Sequence, residues 1–292
     1  MLLLRVRNSK GETMRLFITT LLLTTVYSFS FDYNLRAYTI TEGVSCFFGI
    51  DEDVNKNNGG KTTNTCYIET PIGYIVIDSG PTYSYAQQAY SFMQKKSKLP
   101  VKYVINTSIH ETKILGNEFY KKQGATLIGP ESYKELLKEK KTPNISKKIS
   151  EDAFRNTKLV PLDIYQNTNS KIIIGDMTIE IKRFENQNSK RLIIFIPEKE
   201  IIFVGDYICN KEEYKKENQY ALIKFQKNIC KIENLPWQYI ISSQGTRIGR
   251  DTIKDTQSYI NAIIIPIKRE RREKKRYKKD IYRRKKDVIK FA

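Results

Sequence analysis

One histidine serves the whole chain of 292 residues: His110, in the stretch VKYVINTSIHETKILGN from Val101 to Asn117. Around it Thr107, Ser108, Glu111, Thr112 and Lys113 gather hydroxyl, carboxylate and ammonium groups near a single imidazole. An imidazole beside a carboxylate could move protons, with Glu111 as a candidate general base; the plainer reading of Glu111 is a solvated loop carboxylate. Nucleophilic catalysis has little to draw on. A serine nucleophile needs a base to take its proton, and with one histidine and no GxSxG elbow Ser108 is left unactivated. The four cysteines, Cys46, Cys66, Cys209 and Cys230, form no CxxC pair.

His110 follows an apolar run that reads as a buried strand, and it has company. VSCFFGI, TCYIET, YIVIDSG and KYVINT are rich in Val, Ile, Tyr and Phe and close at Gly, Asn or Pro, the pattern of short strands. Between the last two, SYAQQAYSFMQKK sets Ala86, Ala89, Tyr90 and Met93 on one helical face. A short helix NEFYKKQG stopped by Gly124, a strand ATLIG and a helix opening at Pro130 follow. The second half repeats this grammar. KIIIGDMTIEIKRF reads as a hairpin turning at Gly175-Asp176, RLIIFIPEKEIIFVGD as another turning at Glu198-Lys199, and WQYIISSQG as a further strand. A closing helix, DTIKDTQSYINAII, starts at Asp251. Two strand-rich halves edged by helices predict an α/β sandwich, one domain over residues 31–265.

The formal charge of +19 invites a nucleic-acid reading, but it is unevenly placed. Residues 268–292 carry 14 Lys/Arg against 4 Asp/Glu, and residues 1–30 carry 4 against 1, which leaves +6 for the body between them. Nothing in that body calls for specific binding of DNA or RNA. The tail, 266–292, reads as a solvated charge run, as a helix touching anionic membrane or another polyanion, or as a frame-shifted stretch of AT-rich gene. At the other end LFITTLLLTTVY, after Arg15 and before Ser28 and Ser30, has the form of a signal peptide within residues 1–30, starting naturally at Met14. It is shorter than the roughly 20 apolar residues that span a bilayer. Export to a periplasmic or extracellular space is therefore expected, and there cysteines meet an oxidising medium. Neighbours in sequence close the shortest loops, which favours Cys46–Cys66 and Cys209–Cys230 over free buried thiols.

In order and spacing, NTCYIETPIGYIVIDSGP, VKYVINTSIHETKILGNEFYKKQGATLIG, LIIFIPEKEIIFVGDYI and WQYIISSQGTRIGRDTIKDTQSYI resemble the metallo-β-lactamase superfamily. The flavour is that of exported quinoprotein-relay and glyoxalase II-like zinc hydrolases, with GGKTTNT and IDSGPTYSYAQQ among the similar stretches. The resemblance covers residues 38–262. It implies an αββα sandwich of two mixed β-sheets flanked by helices, with zinc held on strand-end loops. The family's signature is Thr-His-x-His-x-Asp-His. Here Thr107 matches, Ser108 stands for the first His, His110 keeps the second, Thr112 replaces the Asp and Lys113 the last His. A further family His falls near Gln187, the bridging Asp is kept as Asp206, and the His of Gly-His-Gly becomes Gln244. Asp78 matches the Asp that braces the metal loop.

A catalytic zinc site takes about three protein ligands and an open position that acidifies bound water. His110 and Asp206 are the two residual ligands, so no cofactor is expected. Two placements stand open for Lys113: turned to solvent, or turned inward with its ammonium bonded to Asp206 where a metal would sit. The expected function is that of a pseudohydrolase, non-catalytic, binding a small ligand or a periplasmic protein at the old active-site mouth. The alternatives are a divergent hydrolase of esters, thioesters or lactams with an atypical metal site, zinc included, and a scaffold whose basic tail binds polyanions.

Overall fold

The computed structural model describes residues 31–139, 141–183, 191–208 and 219–265, with residues 6–7 and 13–14 and a few single positions after 265. The chain parts into two compact units, Met1–Ser30 and Phe31–Ala292. In the first, β1 (Val6–Arg7) pairs antiparallel with β2 (Thr13–Met14). The apolar run at 16–27, Gln187, Cys209 and most of the basic tail lie outside the described residues.

The second unit contains a seven-stranded and a five-stranded sheet. In the larger one β3 (Ala37–Thr41), β4 (Val44–Phe47), β5 (Thr65–Thr70) and β6 (Gly73–Ile77) run as an antiparallel meander. To this β7 (Val101–Ile105), β8 (Thr126–Pro130) and β9 (Ile164–Gln166) add in parallel. The smaller sheet is antiparallel through β10 (Ser170–Ile174), β11 (Met177–Lys182), β12 (Ile193–Ile196) and β13 (Ile201–Gly205), and β14 (Tyr239–Ser242) joins β13 in parallel. Parallel neighbours need a crossover, which helices supply. They are α1 (Tyr83–Lys96) before β7, α2 (Glu111–Ile114) and α3 (Asn117–Lys122) before β8, α4 (Tyr133–Lys138) and α5 (Glu151–Phe154) before β9, and α6 (Gln219–Glu233) before β14. A last helix covers residues 251–265.

Strand alternation sorts the side chains into layers. Along β6, Tyr74 and Val76 enter a core beneath α1 and α3, while Ile75 and Ile77 enter the core between the sheets. Along β13, Ile201 and Phe203 face that same inter-sheet core, and Ile202 and Val204 face a third core with Phe225 and Ile229 of α6. Each sheet is thus apolar on both faces, with helices outside and sheet against sheet within: an αββα sandwich.

Two local expectations are revised, and one helix is added. Pro130 does not open a helix; it ends β8 in register with Gln166, and the helix starts at Tyr133. Helix α6 has no counterpart in the sequence reading. Cys46 and Cys66 stand opposite each other on β4 and β5 and form a disulfide. Cys230, by contrast, is a free, exposed thiol, so the Cys209–Cys230 bridge is not made. The reason is helical: Ile229 and Ile232 take the inward side of α6 and leave position 230 to solvent.

Candidate functional site

The carboxyl ends of parallel strands are where open sheets present their loops to ligands. Here Asp78 follows β6, Thr107 and Ser108 lie just past β7, Asp206 follows β13, and Gln244 lies just past β14. Asp78 sits at φ 57°, in the left-handed region that aspartate tolerates better than most residues. Both its oxygens are used: Oδ1 accepts from the Thr107 N–H at 2.7 Å and Oδ2 from the Thr107 hydroxyl at 2.7 Å. It braces the loop after β7. Gly205, at φ +51°, lets the end of β13 approach the same loop, where an added Cβ would fall 2.8 Å from Thr107 Oγ1.

Lys113 is the centre of the arrangement. It lies on α2, is fully buried, and turns its side chain inward. Its Nζ donates to Asp206 Oδ1 at 2.7 Å and to Thr107 Oγ1 at 3.3 Å, and it stands 3.8 Å from Asp78 Oδ2. Its backbone is pinned as firmly, because the Lys113 carbonyl accepts from Ser79 N, Ser79 Oγ and Asn106 Nδ2. Asp206 Oδ2 is buried and, among the described residues, has no hydrogen-bond partner. Burial alone would push the Asp206 carboxyl up; Lys113, His110 and Arg191 outweigh it and hold that carboxyl well below the usual range. Asp78 goes the other way. Burial raises it to about 6, against the pull of Lys113 and of the two Thr107 hydrogen bonds.

The remaining positions divide. Ser108 is buried and bridges to Arg191 through the backbone; its Oγ accepts a long 3.4 Å bond from the His110 N–H. His110 is exposed at the start of α2. Thr112 is half-buried, and its carbonyl accepts from Thr63 Oγ1. Gln244 is half-buried in the loop after β14, where the Ser243 N–H donates to the Gly205 carbonyl and Asn64 Nδ2 donates to the carbonyls of Ser242 and Gly245. Tyr207 turns away from this cleft into the third core, where burial pushes its phenol up to about 12. Glu111 is half-buried and tied to backbone. Its two oxygens accept from the Asn144 and Ile145 N–H groups at 2.7 Å, tethering α2 to the short helical turn Asn144–Lys147.

One contributor had escaped the sequence: Arg191 acts on Asp206 because its bridge to Ser108 lays it beside the loop after β7. Thr107, matched in the sequence, contributes the hydroxyl that donates to Asp78. The residues present do not fit zinc. An ammonium rests on Asp206, the one imidazole is exposed, and Ser108, Thr112 and Gln244 are weak neutral donors. Among the described residues no three His, Cys, Asp or Glu side chains gather as a metal-holding group.

No protein-family model matches the chain, and no curated protein matches it in sequence. Solved structures do. The metallo-β-lactamase from Pontibacter korlensis aligns with a TM-score of 0.60 at 17% identity, over 78% of this chain and 99% of that one. The metallo-β-lactamase FIM-1 from Pseudomonas aeruginosa, in its mono-zinc form, aligns with a TM-score of 0.61 at 16% identity, over 80% and 97%. A metallo-β-lactamase from Hirschia baltica gives 0.56 at 18% identity, over 77% and 97%. With the same two-sheet sandwich and nearly the full length of each relative covered, this chain has the metallo-β-lactamase fold.

Proposed function

We propose that the protein is a pseudohydrolase: an exported chain of metallo-β-lactamase fold that binds a small ligand or a protein partner at the mouth of its cleft and carries out no metal-assisted hydrolysis. The observation that carries this reading is the 2.7 Å bond from Lys113 Nζ to Asp206 Oδ1. Metal-assisted hydrolysis needs a cation with an open coordination position to acidify a water. An ammonium already bonded to the carboxylate has no such position to offer. It neutralises the site without activating anything.

What supports export is the Cys46–Cys66 disulfide, a bond that persists in oxidising compartments, together with the signal-like leader and the start of the second unit at Phe31. On this reading the mature N-terminus lies near Phe31, and mass spectrometry of envelope protein reads it directly; an intact Met1 in a cytoplasmic fraction would overturn export. The function itself is tested by metal analysis of protein purified from its own cell. Well under one equivalent of zinc, and a Tm that chelator leaves unchanged, is the expected result. Tight stoichiometric zinc would instead favour a divergent hydrolase of esters, thioesters or lactams.

A further inference from the structure

A buried ammonium ringed by oxygen atoms is a cation site by its chemistry, whatever supplies the cation. Lys113 Nζ has Asp206 Oδ1 at 2.7 Å, Thr107 Oγ1 at 3.3 Å and Asp78 Oδ2 at 3.8 Å, so these three residues present oxygen atoms to it. Asp206 adds a second oxygen, Oδ2, buried and without a hydrogen-bond partner among the described residues. Two carboxylates and a hydroxyl form a hard donor set, of the kind that holds Mg²⁺, Mn²⁺ or Ca²⁺ rather than zinc. The ring is also held rigid: Thr107 is bonded to Asp78 within it, and from outside Lys113 is held by Ser79 and Asn106 and the end of β13 by the close approach at Gly205.

We propose that Asp206, Asp78 and Thr107 form an oxygen-lined cation site which the chain fills with its own Lys113 ammonium, and that a hard divalent ion enters only when that ammonium is removed. Lys113 is then a positioning residue. It acts as a tethered cation that holds the strand-end loops together and bars metal from the cleft. This rests on the metal-independent reading of the cleft and adds what replaced the metal and which ions the replacement keeps out.

The test is Lys113→Ala, which deletes the propylammonium end of the side chain. Mn²⁺ uptake is followed by electron paramagnetic resonance and Tm by thermal denaturation, on the wild type, on Lys113→Ala and on Lys113→Ala with Asp206→Asn. The wild type should take up no Mn²⁺ and keep its Tm in its presence. Lys113→Ala should lose on the order of 10 °C in Tm, bind one Mn²⁺ per chain with partial recovery of Tm, and release it to added propylammonium. Adding Asp206→Asn should abolish the uptake. If Lys113→Ala folds poorly, its refolding yield with and without propylammonium or Mn²⁺ gives the same decision. A variant indifferent to both cations, or uptake that survives Asp206→Asn, overturns the inference while leaving the pseudohydrolase reading in place. Stoichiometric metal in the wild type overturns both.

Discussion

At the scale of single residues the cleft is decided by one substitution of type. A lysine where the resemblance places a histidine brings an ammonium on a long stem, and the buried pair with Asp206 is the outcome. Breaking such a pair from one side leaves an uncompensated buried charge, so Lys113→Met or Asp206→Asn alone should each cost about 3–5 kcal/mol. Together they should cost less than the sum, and a double-mutant cycle by urea denaturation measures the difference; strict additivity would mean the two groups are not coupled. Asp78 gives a pH signature. Its carboxyl, ordinarily at 3.8, is raised by burial to about 6 in the folded chain, so the folded state binds the extra proton between those values. Its contribution is complete below pH 4 and is lost as pH rises to about 6, on the order of 3 kcal/mol. Asp206 is shifted the other way and is already ionised in that window; its contribution fades only as pH falls below 3.8. Urea midpoints measured across this range should fall for the wild type relative to Asp78→Asn, and parallel curves would contradict the assignment.

At the scale of elements, the strands were far more legible than the helices that join them. The hairpins turning at Gly175-Asp176 and at Glu198-Lys199 are present, because period-2 apolar runs broken by turn residues carry their own geometry. Helix α6 went unread, although Leu222, Phe225, Ile229 and Ile232 recur at helical spacing and all are buried. Between those positions Lys227, Cys230 and Lys231 lie on the exposed side and interrupt the stripe along the chain. That stripe closes the third core, so Ile229→Ala, at a position with no exposure, should cost about 2–5 kcal/mol in a denaturant titration. A cost within experimental error would mean that α6 is not packed on β13. Glu111 shows the opposite limit: nothing local distinguishes a solvated carboxylate from one that caps a turn 33 residues away.

At the scale of the whole molecule, the sandwich is cross-linked once between adjacent strands and otherwise held by three apolar layers. The disulfide closes a loop with a sequence separation of 20, for which chain entropy gives about 3 kcal/mol. Unfolding with and without reductant should differ by that order, and an unchanged midpoint would show the bond is absent in solution. The Cys230 thiol should react with an alkylating reagent in the folded protein, at a rate that reduction leaves unchanged.

The sequence by itself determined the alternation that makes two sheets, the order of their strands in the chain, and the loss of imidazoles from the loops that end them. These are local matters of side-chain type and period, set by steric and hydrophobic preference within a few residues. Only the tertiary structure decided that Lys113 turns inward. The residue could equally have faced solvent, and what settles it is the meeting of groups 93 positions apart, where desolvation is offset by Asp206, Thr107 and the pinned backbone of α2. The same holds for Cys230, sent outward by the rotation of α6 on its sheet, and for Arg191, brought to the cleft by the bridge to Ser108. Such pairings belong to the packing of one sheet on another, which no single stretch of residues encodes.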